Sequence, residues 1–454
     1  MAVLLLLFAA CFVLGGASRV DVFSLILLQP LAVVCAVGLL LLPGPIEWSR
    51  IRVPFLLLAA LAATIAAQLV PLPPAIWTNL PGHAAFAQTA TIAGIEQPWR
   101  PISLTPDLTL ASLVGLVVPL AVLIGIGSLG VEHKRSVLAV LILGTMLSAM
   151  FGLAQIAGGE RSPFYLYQIS NFGSAVGLFS NRNHQAVLIA MTWPMLAVWS
   201  AMPQDDKRRG VVRFWVAVSV GIFLMPLILV TGSRAGILLG AFGLACAFQI
   251  GRTRRNKTSF VHGKWKRRSQ IVVAISGVAV LLIAVFLSRD EAIRRLVDGG
   301  SEETRVANTP TLLHIAADFF PIGSGFGSFD PVFRFYEPLR LLKPEYLNHA
   351  HNDLLELLIT GGLFGAIILL AFLGWYVARA FKIWRRPSQA GDFEKLGSVM
   401  MLIVLLSSLV DYPLRTPLMS AVFAVACCWL VEQSAVRRSG RRGRGERALP
   451  PLAL

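Results

Sequence analysis

A chain of 454 residues that is 56 % hydrophobic and only 14 % charged departs far from an average soluble domain, in which about a quarter of residues carry charge. Its formal net charge is +16, which in so apolar a chain reads as topology and contact with anionic membrane lipid rather than nucleic-acid binding. The apolar residues collect in long runs, enough to cross a hydrocarbon layer of ~30 Å, without the ~10-residue alternation of a spanning β-barrel.

In chain order the runs are 2–17, 22–42, 54–71, 108–128, 136–157, 185–202, 212–230, 235–250, 271–287, 354–377, 397–410 and 418–433. They predict an all-α, polytopic integral membrane protein of about 12 transmembrane helices. The first run, MAVLLLLFAACFVLGGAS, ends in small residues as a signal peptide does. It has no basic n-region, so a retained first helix is expected. Segment 72–107 is rich in proline (PLPPAIW, QPWRPISLTPD) and is expected to be irregular. Segment 288–353 is the larger loop. It starts polar (SRDEAIRRLVDGGSEETR), then holds a helical patch (TLLHIAADFF), a glycine-rich turn (PIGSGFGSFD) and an aromatic, basic stretch (RFYEPLRLLKPEY). A loop of this length usually has a task of its own. The domain reading is one membrane domain over 1–433, including this loop, and a basic tail over 434–454 that is expected to be disordered. Cys11, Cys35, Cys246, Cys427 and Cys428 all lie inside apolar runs and read as small core residues, with no disulfide framework.

Lys and Arg set the orientation. With the N-terminus inside, alternate gaps on the inner side hold 26 of these residues and the outer gaps 13, with Arg213 at a boundary. Seven of the outer ones lie in the long 288–353 segment, where the rule is weak. Both termini are therefore expected in the cytoplasm.

Four junctions on the predicted outer face carry Arg or His: GLFSNRNHQA (177–186), TGSRAG (231–236), NHAHNDLLE (348–356) and DYPLRTP (411–417). Most inner junctions are plain basic clusters, and this one-sidedness points to a site facing outward. Arg234 can snorkel from a helix end to headgroups. Yet Thr231, Gly232, Ser233 and Gly236 make a small-residue turn that can bring backbone N–H groups and a helix N-terminus to an anion. A guanidinium is also a bidentate phosphate ligand. Arg305, in EETRVANTP, reads alone as an exposed arginine, and Arg182 and Arg415 fit structural roles better than catalytic ones. Asn348 is predicted to cap a helix starting near His349, with His351 in its first turn. There the helix dipole disfavours imidazolium, and a neutral imidazole can act as a base. A hydrogen bond from His351 to Asp353 or a loop carbonyl is the other reading. A metal site at HAH with Asp353 is disfavoured, because no second ligand cluster appears.

These residues carry a resemblance to the O-antigen ligase/polymerase family of bacterial membrane glycosyltransferases. Its marker is His-Asn, nine residues, then Gly-x-x-Gly. Here it reads His351-Asn352, Asp353 to Gly361, then Gly362-Leu363-Phe364-Gly365. TGSRAG resembles the family's Ser-Arg-x-Gly turn and places Ser233 and Arg234. TRVANTPTLLHIAADFFPIGSGFGSF resembles the segment with an arginine before a helix and a glycine-rich turn, and places Arg305. The tryptophan often found shortly after that arginine is absent. The resemblance implies a glycan donor on undecaprenyl diphosphate, presented at the periplasmic face of the bacterial inner membrane. The acceptor would be a sugar hydroxyl on a lipid A core or on a growing polysaccharide. His351 would take the hydroxyl proton or orient the acceptor, and Arg234 and Arg305 would hold the diphosphate. Asn352, Gly362, Gly365, Ser233, Arg182 and Arg415 would support them. Inversion without nucleotide sugar, metal or other cofactor is implied as well. A polymerase or exopolysaccharide enzyme shares the same motifs. A lipid or polysaccharide transporter would place its polar groups near the midplane, whereas here they sit at the ends of runs. His349 lies outside the marker and is expected to tolerate replacement.

Overall fold

The computed structural model describes residues 1–42, 44–203, 206–255, 300–342, 347–385 and 391–431. Among them there is no strand, and extended backbone pairs only at an isolated bridge between Leu72 and Arg100. The α-helices are α1 (Ala2–Leu14), α2 (Ser24–Leu40), α3 (Trp48–Ala67), α4 (Pro74–Trp77), α5 (Ala84–Ile92), α6 (Pro106–Gly115), α7 (Val117–Ser128), α8 (Lys134–Gly158), α9 (Arg182–Ser200), α10 (Lys207–Val230), α11 (Arg234–Arg255), α12 (Gly300–Phe319), α13 (Phe329–Tyr336), α14 (Asp353–Arg385), α15 (Asp392–Ser407) and α16 (Pro417–Val431). Every predicted run that falls on described residues is helical. Run 271–287 and the tail 434–454 lie outside them.

Among the described residues, six stretches are long and apolar enough to cross a membrane: α3, α6 with α7, α8 with its following turn, α10, α11 and α14. The apolar helices α1, α2 and α16 are shorter. Burial separates the helices by role. Every residue of α9 from His184 to Leu196 is buried, as befits a helix surrounded on all sides. By contrast α2, α11 and α14 expose Val34, Leu238, Phe248, Leu370 and Val377 by 60 % or more, the composition that a lipid-facing surface needs. The helix α11 lies tight against α9. A Cβ on Gly236 would strike Ala186, and one on Gly243 would strike the Ala190 carbonyl. Small residues that let two backbones approach are the usual means of packing helices in lipid.

A second apolar core joins Leu312, Ile315 and Phe319 of α12, Phe329, Val332 and Phe333 of α13, and Ile359 of α14. Segment 72–107 belongs to it, with Phe86 packed on the same cluster. Two short helices, α4 and α5, stand in this segment, and the rest of it before α6 is turn and irregular chain, as expected. Pro74 begins α4 at its first position, where a missing N–H costs nothing. Trp77 is buried and donates from Nε1 to the Pro98 carbonyl at 2.8 Å. His83 is held between the Pro81 and Ile102 carbonyls, each 2.9 Å away.

The helix α14 spans 33 residues, about 50 Å at 1.5 Å per residue, well beyond one hydrocarbon thickness. It is not continuous. Gly362 has φ 56° and ψ −141°, a conformation open to glycine and costly for other residues. The glycine-rich turn after α12 is seated on this break. Leu363 N donates to the Pro321 carbonyl at 2.7 Å, Ser324 N to Ile359 O at 3.0 Å and Gly325 N to Thr360 O at 3.1 Å. Gln68 at the end of α3 closes the seam, donating to Thr360 O at 2.9 Å and accepting from Phe326 N at 3.1 Å. The nine residues of the sequence marker are thus the first leg of α14, from Asp353 to the break. Gly362 was expected to pack within a continuous helix, and it interrupts that helix instead.

Candidate functional site

The four polar junctions meet at one end of the bundle, around the first turn of α9. Asn181 caps that turn, its Oδ1 accepting from Asn183 N at 2.8 Å. The end of α1 ties the neighbours together, because Gly16 O accepts from Ser180 N at 3.2 Å and Gly15 O from Leu418 N at 2.9 Å. On one side lies the TGSRAG turn. Gly232 has φ 64°, and Ser233 Oγ accepts from Gly236 N at 3.0 Å, so α11 starts at Arg234. Arg182 of α9 reaches this turn, its Nη1 lying 3.5 Å from where a Cβ on Gly232 would be. Both arginines therefore stand at adjacent helix N-termini, where partial positive charge already gathers.

On the other side of α9 lies a buried carboxylate, Asp411, 1 % exposed. Its Oδ2 accepts from Asn183 Nδ2 at 2.6 Å and its Oδ1 from Tyr412 N at 3.0 Å. His351 Nδ1 faces the same Oδ1 at 3.4 Å, and the His351 side chain is 17 % exposed. The two atoms are within ion-pair distance, but no hydrogen bond is made between them and Nδ1 has no hydrogen-bond partner. An imidazole backed by a carboxylate at one nitrogen can take a proton at the other and have the new charge met.

The backbone at His351 differs from expectation. The cap of α14 is Asn352, whose Oδ1 accepts from Leu354 N at 3.1 Å and Leu355 N at 3.0 Å, while Asn348 Oδ1 accepts from the Tyr412 hydroxyl at 3.4 Å. His351 precedes the helix with φ 49° and is not in its first turn. The carboxylate opposite it is Asp411, not Asp353.

A second buried cluster adjoins the first. Asp353 accepts from Ser408 Oγ at 3.0 Å and Arg415 Nε at 3.3 Å. Arg415 Nη2 also lies 3.3 Å from Glu356 Oε1. Glu356 accepts from Ala350 N at 2.9 Å, and His349 Nδ1 is 3.0 Å from its Oε1. Burial alone would lower the Arg415 pKa, but Glu356 and Asp353 hold it above its ordinary value. Arg415 thus lies between two buried carboxylates. His349 does not behave as a bystander, since it and Ala350 fasten the loop carrying His351 to Glu356. The pair HAH divides between two carboxylates, Glu356 for His349 and Asp411 for His351, and no group of three or more ligand side chains is placed for a metal ion among the described residues.

Of the sequence-derived candidates, His351, Arg182, Arg234, Ser233, Asn352 and Arg415 gather at this end. Gly362 lies at the break in α14 and Gly365 just beyond it in the second leg, apart from the other candidates. Arg305 lies on α12, and its side chain is outside the described part of the structure. Sequence reasoning missed Asp411, His184, Asn183 and Glu356. Asp411 and Glu356 sit inside junctions already singled out, but only the long-range packing of α9 against the 411–417 turn shows which residues they face.

Residues 217–370 match the family model Wzy_C, O-antigen ligase. The matched stretch holds Arg234, Arg305, His351, Asn352, Gly362 and Gly365, while Arg182, Asp411 and Arg415 lie beyond it. The comparison with curated proteins returns no match.

Proposed function

We propose that this chain, whose residues 217–370 match the O-antigen ligase family model, belongs to the O-antigen ligase/polymerase family and transfers a glycan from an undecaprenyl-diphosphate donor to a sugar hydroxyl on a lipid A core, at the periplasmic face of the inner membrane. The acceptor hydroxyl gives its proton to His351 while its oxygen bonds the anomeric carbon. The bond from that carbon to the diphosphate breaks, and the electron pair leaves with the diphosphate oxygen. Arg234 and Arg305 meet the charge that develops there, with Arg182 beside Arg234. Asp411 stays ionised and balances the imidazolium. The observation that carries this reading is the meeting of an Asp411-backed His351 with the Arg182 and Arg234 helix ends at one end of the bundle.

A glycan profile of a deletion strain tests it. Loss of O-antigen from lipid A core, with long lipid-linked polymer surviving, is the expected result. Accumulation of single repeats instead means a polymerase, and unchanged glycans sink the assignment. The orientation, with about 12 crossings and both termini cytoplasmic, is tested by reporter fusions. Those after residues 90 and 330 are expected to read periplasmic, and those after 260 and 440 cytoplasmic. A cytoplasmic reading at 330 would put the site on the wrong side for the donor.

A further inference from the structure

His184 is a histidine that the chemistry above does not use. It sits in the first turn of α9 with no solvent exposure, and neither ring nitrogen has a hydrogen-bond partner. Leaving buried polar atoms unsatisfied is costly, and such groups in a native core call for an explanation. The ring is not pointed at random. Its Nε2 lies 4.0 Å from Asp411 Oδ1, the same oxygen that His351 Nδ1 approaches at 3.4 Å. Its orientation is fixed edge-on by Tyr412 and Phe179, at centroid distances of 5.3 and 6.0 Å. One carboxylate oxygen thus faces two imidazole nitrogens at ion-pair distance and is hydrogen-bonded to neither. Catalytic hydrogen bonds are often long in a free enzyme and tighten when substrate binds.

We propose that His184 is a positioning residue that shares Asp411 with His351, donating from Nε2 to Oδ1 and so setting how strongly the carboxylate draws a proton onto His351. This rests on the reading of His351 as the base. His184 itself touches no substrate and stays neutral, and the acceptor proton goes to His351 alone. The titratable and charged groups packed around the pair are His349, His351, Tyr412, Asp353, Glu356 and Arg415. The last three are tied to one another and to His349, as described above, and are not aimed at His184.

The direction of the effect follows. A donor on Oδ1 spreads the carboxylate charge over two partners. Without it Asp411 acts on His351 alone, imidazolium becomes easier to form, and the free base persists only at higher pH. The experiment is the pH–rate profile of purified full-length protein in nanodiscs. Its substrates are lipid-linked glycan extracted from the deletion strain and lipid A core from that strain. His184→Phe keeps the ring packing and removes the donor. Its acidic limb is expected to move to higher pH by about one unit, the scale of one hydrogen bond. His184→Gln restores a donor and is expected to keep the limb near that of the parent. Should the Phe variant not accumulate, His184→Leu takes its place. An unmoved limb in the donorless variant, or equal shifts in the Gln and donorless variants, overturns the proposal. A His351→Ala protein that still transfers glycan defeats the reading of His351 instead, so the two failures are distinguishable.

Discussion

Two buried polar clusters lie side by side around Tyr412, and they are built to different standards. In the Glu356 cluster, His349, Ala350, Asp353, Ser408 and Arg415 make contacts of 2.9 to 3.3 Å. In the Asp411 cluster, His351 and His184 stand 3.4 and 4.0 Å from their carboxylate, with Nδ1 of the first and both nitrogens of the second unpartnered. A satisfied buried network rigidifies what it joins. An incomplete one leaves groups ready for a further partner. On the proposed function, the contrast divides labour between a frame that fixes the loop at 349–350 and the proposed reaction centre that the frame holds in place.

Replacement of His351 by Ala is the strongest test of that division. It is expected to lower transfer by about 10²–10⁴-fold, the usual contribution of a general base, while thermal unfolding in detergent stays near the parent's. A lowered melting temperature with matching activity loss would make His351 part of the frame. Glu356→Ala is expected to do the reverse. It leaves Arg415 with Asp353 as its remaining carboxylate and removes the anchor of Ala350 and His349, a loss of about 1.5–3 kcal/mol for hydrogen bonds to a charged group. The readout is yield of folded protein and melting temperature, and a normal melt with no activity would move Glu356 into the reaction centre. Arg234→Lys keeps the charge and loses the planar fork. Transfer is expected to fall about 10²-fold at normal membrane level, as for loss of one oriented donor, and near-normal transfer would remove the diphosphate role. His349→Ala takes one donor from Glu356 and is expected to cost about 1–3 kcal/mol of stability. It is therefore a frame mutation and not a silent control, and an unchanged melt would mean that Glu356 is satisfied without it.

The sequence patterns read well where they are local. Hydrophobic run length found the helices, and the run of small residues at 231–236 found the start of α11 with its left-handed Gly232. What escaped was set by tertiary contact or by a single backbone angle. Asn348 and Asn352 are equally good caps by residue type, and the positive φ at His351 that selects the second has no pattern of its own. Proline content in 72–107 suggested irregular chain, but Pro74 sits where a helix begins. His184 looked like one polar residue among several in SNRNHQA. Its nearness to Asp411 depends on 226 residues of intervening chain folding back, which no spacing reveals.

The break at Gly362 has a mechanical consequence. The leg from Asp353 to Gly361 is stitched to the turn after α12 by backbone hydrogen bonds and to the Gln68 side chain, and beyond the break only Leu363 N, bonded to the Pro321 carbonyl, shares that seam among the bonds described above. The longer leg, from Leu363 to Arg385, presents Phe364, Ile367, Leu370 and Val377 outward. A change in bilayer thickness that tilts the longer leg is taken up at the glycine, as at a universal joint between two shafts. On the proposed function, His351 then keeps its register with α12, and the spacing between the proposed base and leaving group is insulated from the membrane around it.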